Sequence, residues 1–290
     1  MREPVSAAAP DAGAVLTNPS VPRARPVDVA SGRGFSRARV TGWVLLGCWA
    51  AGAAGLVWYA ASGYDAELYA KYLPRLFDGL WVTLKLVVIS VTLGALLAMP
   101  LALARLSESR AVNGSAFGYS YLFRGTPLLA QVFLVYYGAG QFNQELQAVG
   151  LWWLFREALY CVILTFTLNT AAYQAEIFRG AIQAVPDGQW EAGRAVGLSE
   201  PQIFLKIIVP QALAIALRPF GNEIILMIKG SAIASVVTVF ELMGETRLAF
   251  SRTFDFTPYL WAALIYLVLV EVLRRVWDRI EIVLTRHLKR

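Results

Sequence analysis

Residues 190–211 read WEAGRAVGLSEPQIFLKIIVPQ. The stretch lies between two long apolar segments and carries Glu191, Arg194, Glu200 and Lys206. Charges at that density are too costly to leave in hydrocarbon. The spacing predicts two short helices around a tight turn. Pro186 and Asp187 precede the first helix, and Asp187 is placed to cap it. Gly197 suits the break, because glycine tolerates the left-handed backbone on which helices end. Ser199, with Gln202 three residues on, is a capping box for the second helix. Pro210 fits the first position of a further helix. A rigid, charged helical hairpin held in a loop is a docking surface.

The flanking chain says what the hairpin is mounted on. Of 290 residues 57% are hydrophobic and 16% charged, where soluble domains carry roughly a quarter charged. Mean hydropathy is +0.54. Six apolar segments are expected to span a membrane, near 43–61, 80–104, 124–143, 158–178, 212–240 and 259–277. The fifth is long, with a kink expected at Pro219-Phe220-Gly221. Residues 1–42, rich in Ala, Pro, Gly and Arg, read as a disordered tail. Residues 43–61 read as an uncleaved first span, 76–277 as the main membrane domain and 278–290 as a tail.

Charge orients these segments. With the N-terminal tail inside, so are the 105–123 connector, the hairpin and the C-terminus, and together they hold most of the Lys and Arg. The outside connectors keep Lys71, Arg75, Arg156, Arg247 and Arg252. Both termini and the hairpin are therefore expected in the cytoplasm. The net charge of +6 then reflects membrane topology and lipid contact, and nucleic acid is not expected as a partner.

The hairpin resembles the coupling motif of bacterial ABC importer membrane subunits: Glu-Ala-Ala, three residues, Gly, nine residues, then Ile-x-Leu-Pro. Glu191, Ala192, Gly197, Ile207 and Pro210 match it, while Gly193 and Val209 depart mildly. Further motifs are similar to the polar amino-acid branch of that family. They are Arg124-Gly125-Thr126-Pro127-Leu128-Leu129, Val185-Pro186-Asp187-Gly188-Gln189 and Gly221-Asn222-Glu223. Leu168-Asn169-Thr170-Ala171-Ala172-Tyr173, followed by Glu176-Ile177-Phe178, is most similar to permeases for histidine, lysine, arginine, ornithine and opines. The resemblance covers about Leu80 to Leu273, and the N-terminal 1–75 adds a tail and a span to the commonest form. It implies an all-α type I permease fold and a second permease subunit, identical or not. It also implies cytoplasmic ATP-binding subunits and a periplasmic or lipid-anchored solute-binding protein.

In that reading Trp190, Glu191, Ala192, Arg194, Gly197, Ile207 and Pro210 form the ATPase-coupling surface. Trp190 offers an anchor for the partner, and Glu191 and Arg194, three apart on one face, can pair or meet charges on the partner. No phosphate-cradling Gly-x-x-x-x-Gly-Lys-Ser/Thr occurs, and Lys229-Gly230-Ser231 lies in an apolar run, so ATP hydrolysis is expected on a separate chain. No cofactor is expected on this chain. With His287 the only histidine, no zinc or Ser/His/Asp set can be assembled; Cys48 and Cys161 read as buried thiols.

Polar residues inside spans are the remaining signal. Thr165, Asn169, Tyr173 and Glu176 recur at helical spacing in the fourth segment. Arg218, Asn222 and Lys229 share a face of the fifth, with Glu223 about 100° aside. Either these groups satisfy one another across helices, or they line a substrate path. On the second reading Glu176 and Glu223 balance a basic substrate and Lys229 or Arg218 meets its carboxylate. Lys85, with Thr83, is expected to snorkel toward the outer face. Trp58, Tyr59, Tyr64, Trp81, Trp152, Trp153, Tyr259 and Trp261 mark span ends. The rival function is a secondary transporter of small polar solutes driven by an ion gradient. It would be expected to show repeats with broken helices, of which no convincing case is found, and it leaves the hairpin without a role.

Overall fold

The computed structural model describes residues 37–62 and 65–286, and among them no strand occurs. The chain divides into two units, Met1–Val57 and Trp58–Arg290. Helix α1 (Arg37–Ser62) begins six residues before the expected span, inside the segment read as tail. Its Cys48 is exposed, against expectation. The rest of the expected tail, Tyr64 and His287 lie outside the described residues.

Helix α2 (Ala66–Leu106) opens on Asp65, whose Oδ1 accepts from the N–H groups of Glu67 and Leu68. Its 41 residues are about 60 Å of helix, longer than a bilayer core, so the span expected at 80–104 is only its middle. Helix α3 (Arg110–Gly125) occupies the region expected to be a connector. Asn113, Gly114, Ser115 and Ser120 thin its apolar content, which made a helix read as a loop. The Gly125-Thr126-Pro127 step separates it from α4 (Leu128–Phe133), since proline disfavours helical backbone before it. The segment expected at 124–143 is thus a broken one, continued by a π turn over Leu134–Gly138. Two short helices, α5 (Asn143–Ala148) and α6 (Trp152–Phe155), lead to α7 (Ala158–Gln183).

Beyond α7 come the hairpin helices α8 (Asp187–Ala195) and α9 (Glu200–Ile203), then α10 (Val209–Gly230). Helix α10 runs on as one helix through Pro219 and tightens into a 3-10 turn over Ser231–Val237. Helices α11 (Leu242–Thr253) and α12 (Thr257–Thr285) follow. Helix α12 absorbs most of the expected C-terminal tail.

The stretches Arg37–Tyr59, Ala66–Leu106 and Glu200–Val237 are long and apolar enough to cross a membrane by length and composition alone. Three of the six expected segments fall wholly or mostly within them. Those at 158–178 and 259–277 lie in helices of 26 and 29 residues. Exposed Leu93, Leu96, Leu264, Leu267 and Val272 give α2 and α12 an apolar outer face, as contact with lipid requires.

The most extensive packing joins α2 to α7. Small residues bring the two backbones together: Gly94, Ala98 and Ala102 on α2, Ala171, Ala172 and Ala175 on α7, all buried. A Cβ on Gly94 would lie 2.5 Å from Thr170 Cγ2. Above this seam Leu86, Val91, Phe166, Met227 and Val237 form one core; below it Phe178, Ile203, Ile208 and Ala212 form another, which ties the hairpin to the bundle. A third core joins Leu76, Leu242 and Trp261, so Trp261 is interior and not an interfacial marker. Thr83 is also interior, bonded to Glu241, whereas Lys85 is exposed with its ammonium over the Trp81 ring.

Candidate functional site

The hairpin forms as its sequence dictates, with changes in detail. Pro186 is the N-cap and Asp187 is the first helical residue, so Asp187 does not cap α8. Helix α8 ends where Leu198 N–H donates to Gly193 O and Gly197 N–H to Arg194 O, with Gly197 left-handed at φ +77°. Ser199 opens α9 through the capping box, and Gln202 Oε1 accepts from the Ser199 N–H at 3.1 Å. A π turn over Phe204–Ile208 then joins α9 to α10. Pro210 is the second residue of α10, within its first turn and one place after the expected first position. It lacks the N–H that would bond Lys206 O, and the widened turn before it accommodates its ring.

The two arms are locked in two ways. Gly193 is buried flat against Ile203, and a Cβ there would lie 2.7 Å from Ile203 Cγ1. Arg194 Nε donates to Glu200 Oε1 at 2.7 Å, so Arg194 pairs across the turn and not with Glu191 as expected. The Arg194 hydrogen bond holds the exposed Glu200 carboxyl below its ordinary range. Trp190 stacks on Phe204 within the lower core and is half-buried, so its ring serves the hairpin's own packing. The exposed apolar residue at the tip is Val196, 74% exposed beside Gly197, which the sequence reading missed. Glu191, Ala192, Lys206 and Pro210 are exposed, and Ile207 is half-buried.

The in-span polar residues separate into three groups. Asn169, Tyr173 and Glu223 come together in a cleft of about 200 Å³, with Thr126, Leu128, Leu226 and Met227. Asn169 Nδ2 donates to Phe123 O and to Gln131 Oε1, and Arg124 lies over the Tyr173 ring at 5.3 Å. Thr170 Oγ1 donates to Glu223 Oε1 at 2.9 Å. A second group is satisfied away from the cleft. Glu176 accepts from Arg105 and Arg179, at 3.0 and 2.8 Å, and Arg105 also donates to Asn113. Thr165 bonds Cys161 O on its own helix, and Arg218 pairs with Glu281 at 2.8 Å. Asn222 and Lys229 make a third set, on an exposed face of α10 that they share with Arg218 as their spacing predicts.

Gln131, Thr170 and Gln174 were missed as partners of these residues. The available signal was an amide or hydroxyl inside an apolar run, which is costly unless it is hydrogen-bonded. Arg105 was counted only as a topological charge, although an arginine at a helix end opposite an in-span carboxylate is a pairing signal.

Residues 90–281 match the family model described as binding-protein-dependent transport system inner membrane component. The nopaline transport system permease protein NocM of Agrobacterium fabrum is 42% identical over 226 residues, covering 78% of this chain and 94% of NocM. The arginine ABC transporter permease protein ArtM of Escherichia coli is 36% identical over 211 residues, covering 73% of this chain and 95% of ArtM. Among solved structures, an amino acid ABC transporter with histidines is 35% identical with a TM-score of 0.67, covering 75% of this chain and 98% of its own. The inward-facing MetNI methionine ABC transporter shares the fold, at 21% identity and a TM-score of 0.62, over 73% of this chain and 96% of its own.

Proposed function

The chain belongs to the binding-protein-dependent transport system inner membrane components, the permease subunits of ABC importers, and we propose that it forms the path for basic amino acids or opines. The path is read at the cleft of Asn169, Tyr173 and Glu223, with Thr126 at its rim. Glu223 supplies the negative charge that a basic side chain needs, and Arg124 beside Tyr173 supplies a cation for a carboxylate. Nopaline and arginine stand in the names of the relatives, in agreement with that charge pattern. The exposed face of Arg218, Asn222 and Lys229 is assigned to the front of a second permease subunit, so that the path runs between two copies or near-copies.

The observation that carries the coupling role is the hairpin itself. It is locked internally by Gly193–Ile203 and Arg194–Glu200, rooted in the lower core, and free along Glu191, Ala192, Val196, Gly197 and Lys206. A rigid element seated on an ATP-binding subunit transmits that subunit's closure as movement of α7 and α10. The Lys and Arg distribution supports a cytoplasmic hairpin and termini, with a solute-binding protein delivering substrate from the other side. Residues 278–285, within α12, extend that cytoplasmic end, and α1 adds a span outside the shared permease domain.

Reconstitution in vesicles tests both parts. With its ATP-binding subunits and binding protein, the complex is expected to take up labelled arginine, octopine or nopaline only when ATP is present. Uptake driven by an ion gradient without the ATP-binding subunits overturns the coupling role. ATP-driven uptake confined to acidic or apolar solutes overturns the substrate reading.

A further inference from the structure

Glu223 is held from behind by two side chains with no part in the reading above. Thr170 and Gln174, one turn apart on α7, are both fully buried. Gln174 Nε2 donates to Thr170 Oγ1 at 3.0 Å and to Val91 O on α2 at 3.3 Å. Thr170 Oγ1 donates to Glu223 Oε1 at 2.9 Å. The hydrogen bonds run in one order from Gln174 through Thr170 to Glu223. An amide flipped about Gln174 would turn its oxygen toward the Val91 carbonyl and lose that bond. Thr170 accepts from Gln174 on one lone pair and keeps its single proton for Glu223 Oε1. Thr165 shows the alternative that Thr170 forgoes, donating to the carbonyl four residues back on its own helix. Glu223 is therefore fixed as an acceptor at Oε1. No protein donor among the described residues bonds its second oxygen, and Glu223 lines the cleft. The close approach of Gly94 leaves no slack, since a Cβ there would meet Thr170 Cγ2 at 2.5 Å and Gln174 Nε2 at 3.3 Å.

We propose that Gln174 and Thr170 form a buried relay of positioning residues that holds the Glu223 carboxylate toward the cleft as the acceptor for a cationic substrate group. The inference rests on the cleft being the substrate path. It assigns selectivity for positive charge to α7 as well as to α10. It also makes the α2–α7 seam at Gly94 the wall against which the relay is set.

The full transporter, with its ATP-binding subunits and binding protein, is reconstituted and initial rates of ATP-driven arginine uptake are compared. Thr170→Val removes the hydroxyl and keeps the shape; uptake is expected to fall about tenfold, the scale of one lost hydrogen bond to a charged group. Thr170→Ser is expected to restore it. Thr170→Val combined with Glu223→Gln is expected to be no slower than Glu223→Gln alone, because both act through one carboxylate. Losses that multiply, or wild-type uptake by Thr170→Val while Glu223→Gln is impaired, overturn the relay and leave the path reading standing. Wild-type uptake by Glu223→Gln overturns the path reading and the relay with it. Should Thr170→Val fail to assemble, Gln174→Met decides: a severalfold loss supports the relay and wild-type uptake overturns it.

Discussion

At single residues, three glycines are required for two different reasons. Gly197 is required by its own backbone, at φ +77°. That need was legible, because a helix stop just before a capping box is a local property. Gly221 is required by its neighbour: a Cβ there would lie 2.1 Å from Trp277 Nε1, while that Nε1 donates to Leu217 O at 2.8 Å. Gly221→Ala is expected to force the Trp277 ring off α10 and to destabilise the fold by about 1–3 kcal/mol, as overpacking does. Thermal unfolding of the purified complex measures it, and Trp277→Phe in the same chain should recover part of the loss. Gly193 against Ile203 follows the same logic within the hairpin. Gly193→Ala should widen the angle between the arms and lower uptake per ATP hydrolysed, and Ile203→Val should offset it. Neither contact was legible from sequence, where Gly193 counted only as a mild departure from a motif and Gly221 as part of an expected kink. What lies across from a glycine depends on packing, which periodicity does not encode.

At the level of elements, long apolar runs were legible and amphipathic ones were not. Helices α2, α7, α10 and α12 stand where hydrophobic runs predict helices, whereas α3 was read as a connector because its polar face dilutes the run. The joint between elements was also missed. Glu241, fully buried just beyond the fifth apolar run, ties three helices together. Its Oε1 caps α11 by accepting from Gly244 N–H, and its Oε2 accepts from Thr83 on α2 and Tyr266 on α12. Thr83 Oγ1 in turn accepts from the Leu242 N–H. A lone acid at the end of an apolar run looks like a span boundary, and only the fold reveals its partners. Glu241→Ala orphans several buried donors at once and is expected to cost about 3 kcal/mol or more. Glu241→Gln, which keeps one acceptor oxygen, should cost less. Yield of assembled complex after detergent extraction, with unfolding midpoints, would separate the two, and equal stability of Glu241→Ala and wild type would remove the joint.

Across the whole molecule, the hairpin is the element whose surface the fold leaves free while its root is fixed. Ile203 and Ile208 are buried with Phe178 and Ala212, so a push on the hairpin reaches α7 and α10 directly. Both helices carry walls of the cleft. Gly197 sits at the free tip, and a Cβ built there meets nothing within 4 Å. A side chain at that position thus finds no clash in its own chain and carries only the cost of left-handed backbone, about 1–2 kcal/mol for most residues and less for Asp or Asn. Gly197→Asp should therefore leave folding and membrane insertion intact, and its effect should come through the surface it meets. The added charge beside the exposed Val196 is expected to weaken seating on the ATP-binding subunit, with uptake falling about tenfold or more for a desolvated charge at an interface. Gly197→Asn, similar in backbone and shape but uncharged, should lose much less. Co-purification with the ATP-binding subunit, measured beside uptake, checks the cause. Full uptake by Gly197→Asp removes the hairpin from the coupling route, and equal losses for Asp and Asn place the effect in the hairpin's backbone and not in its docking.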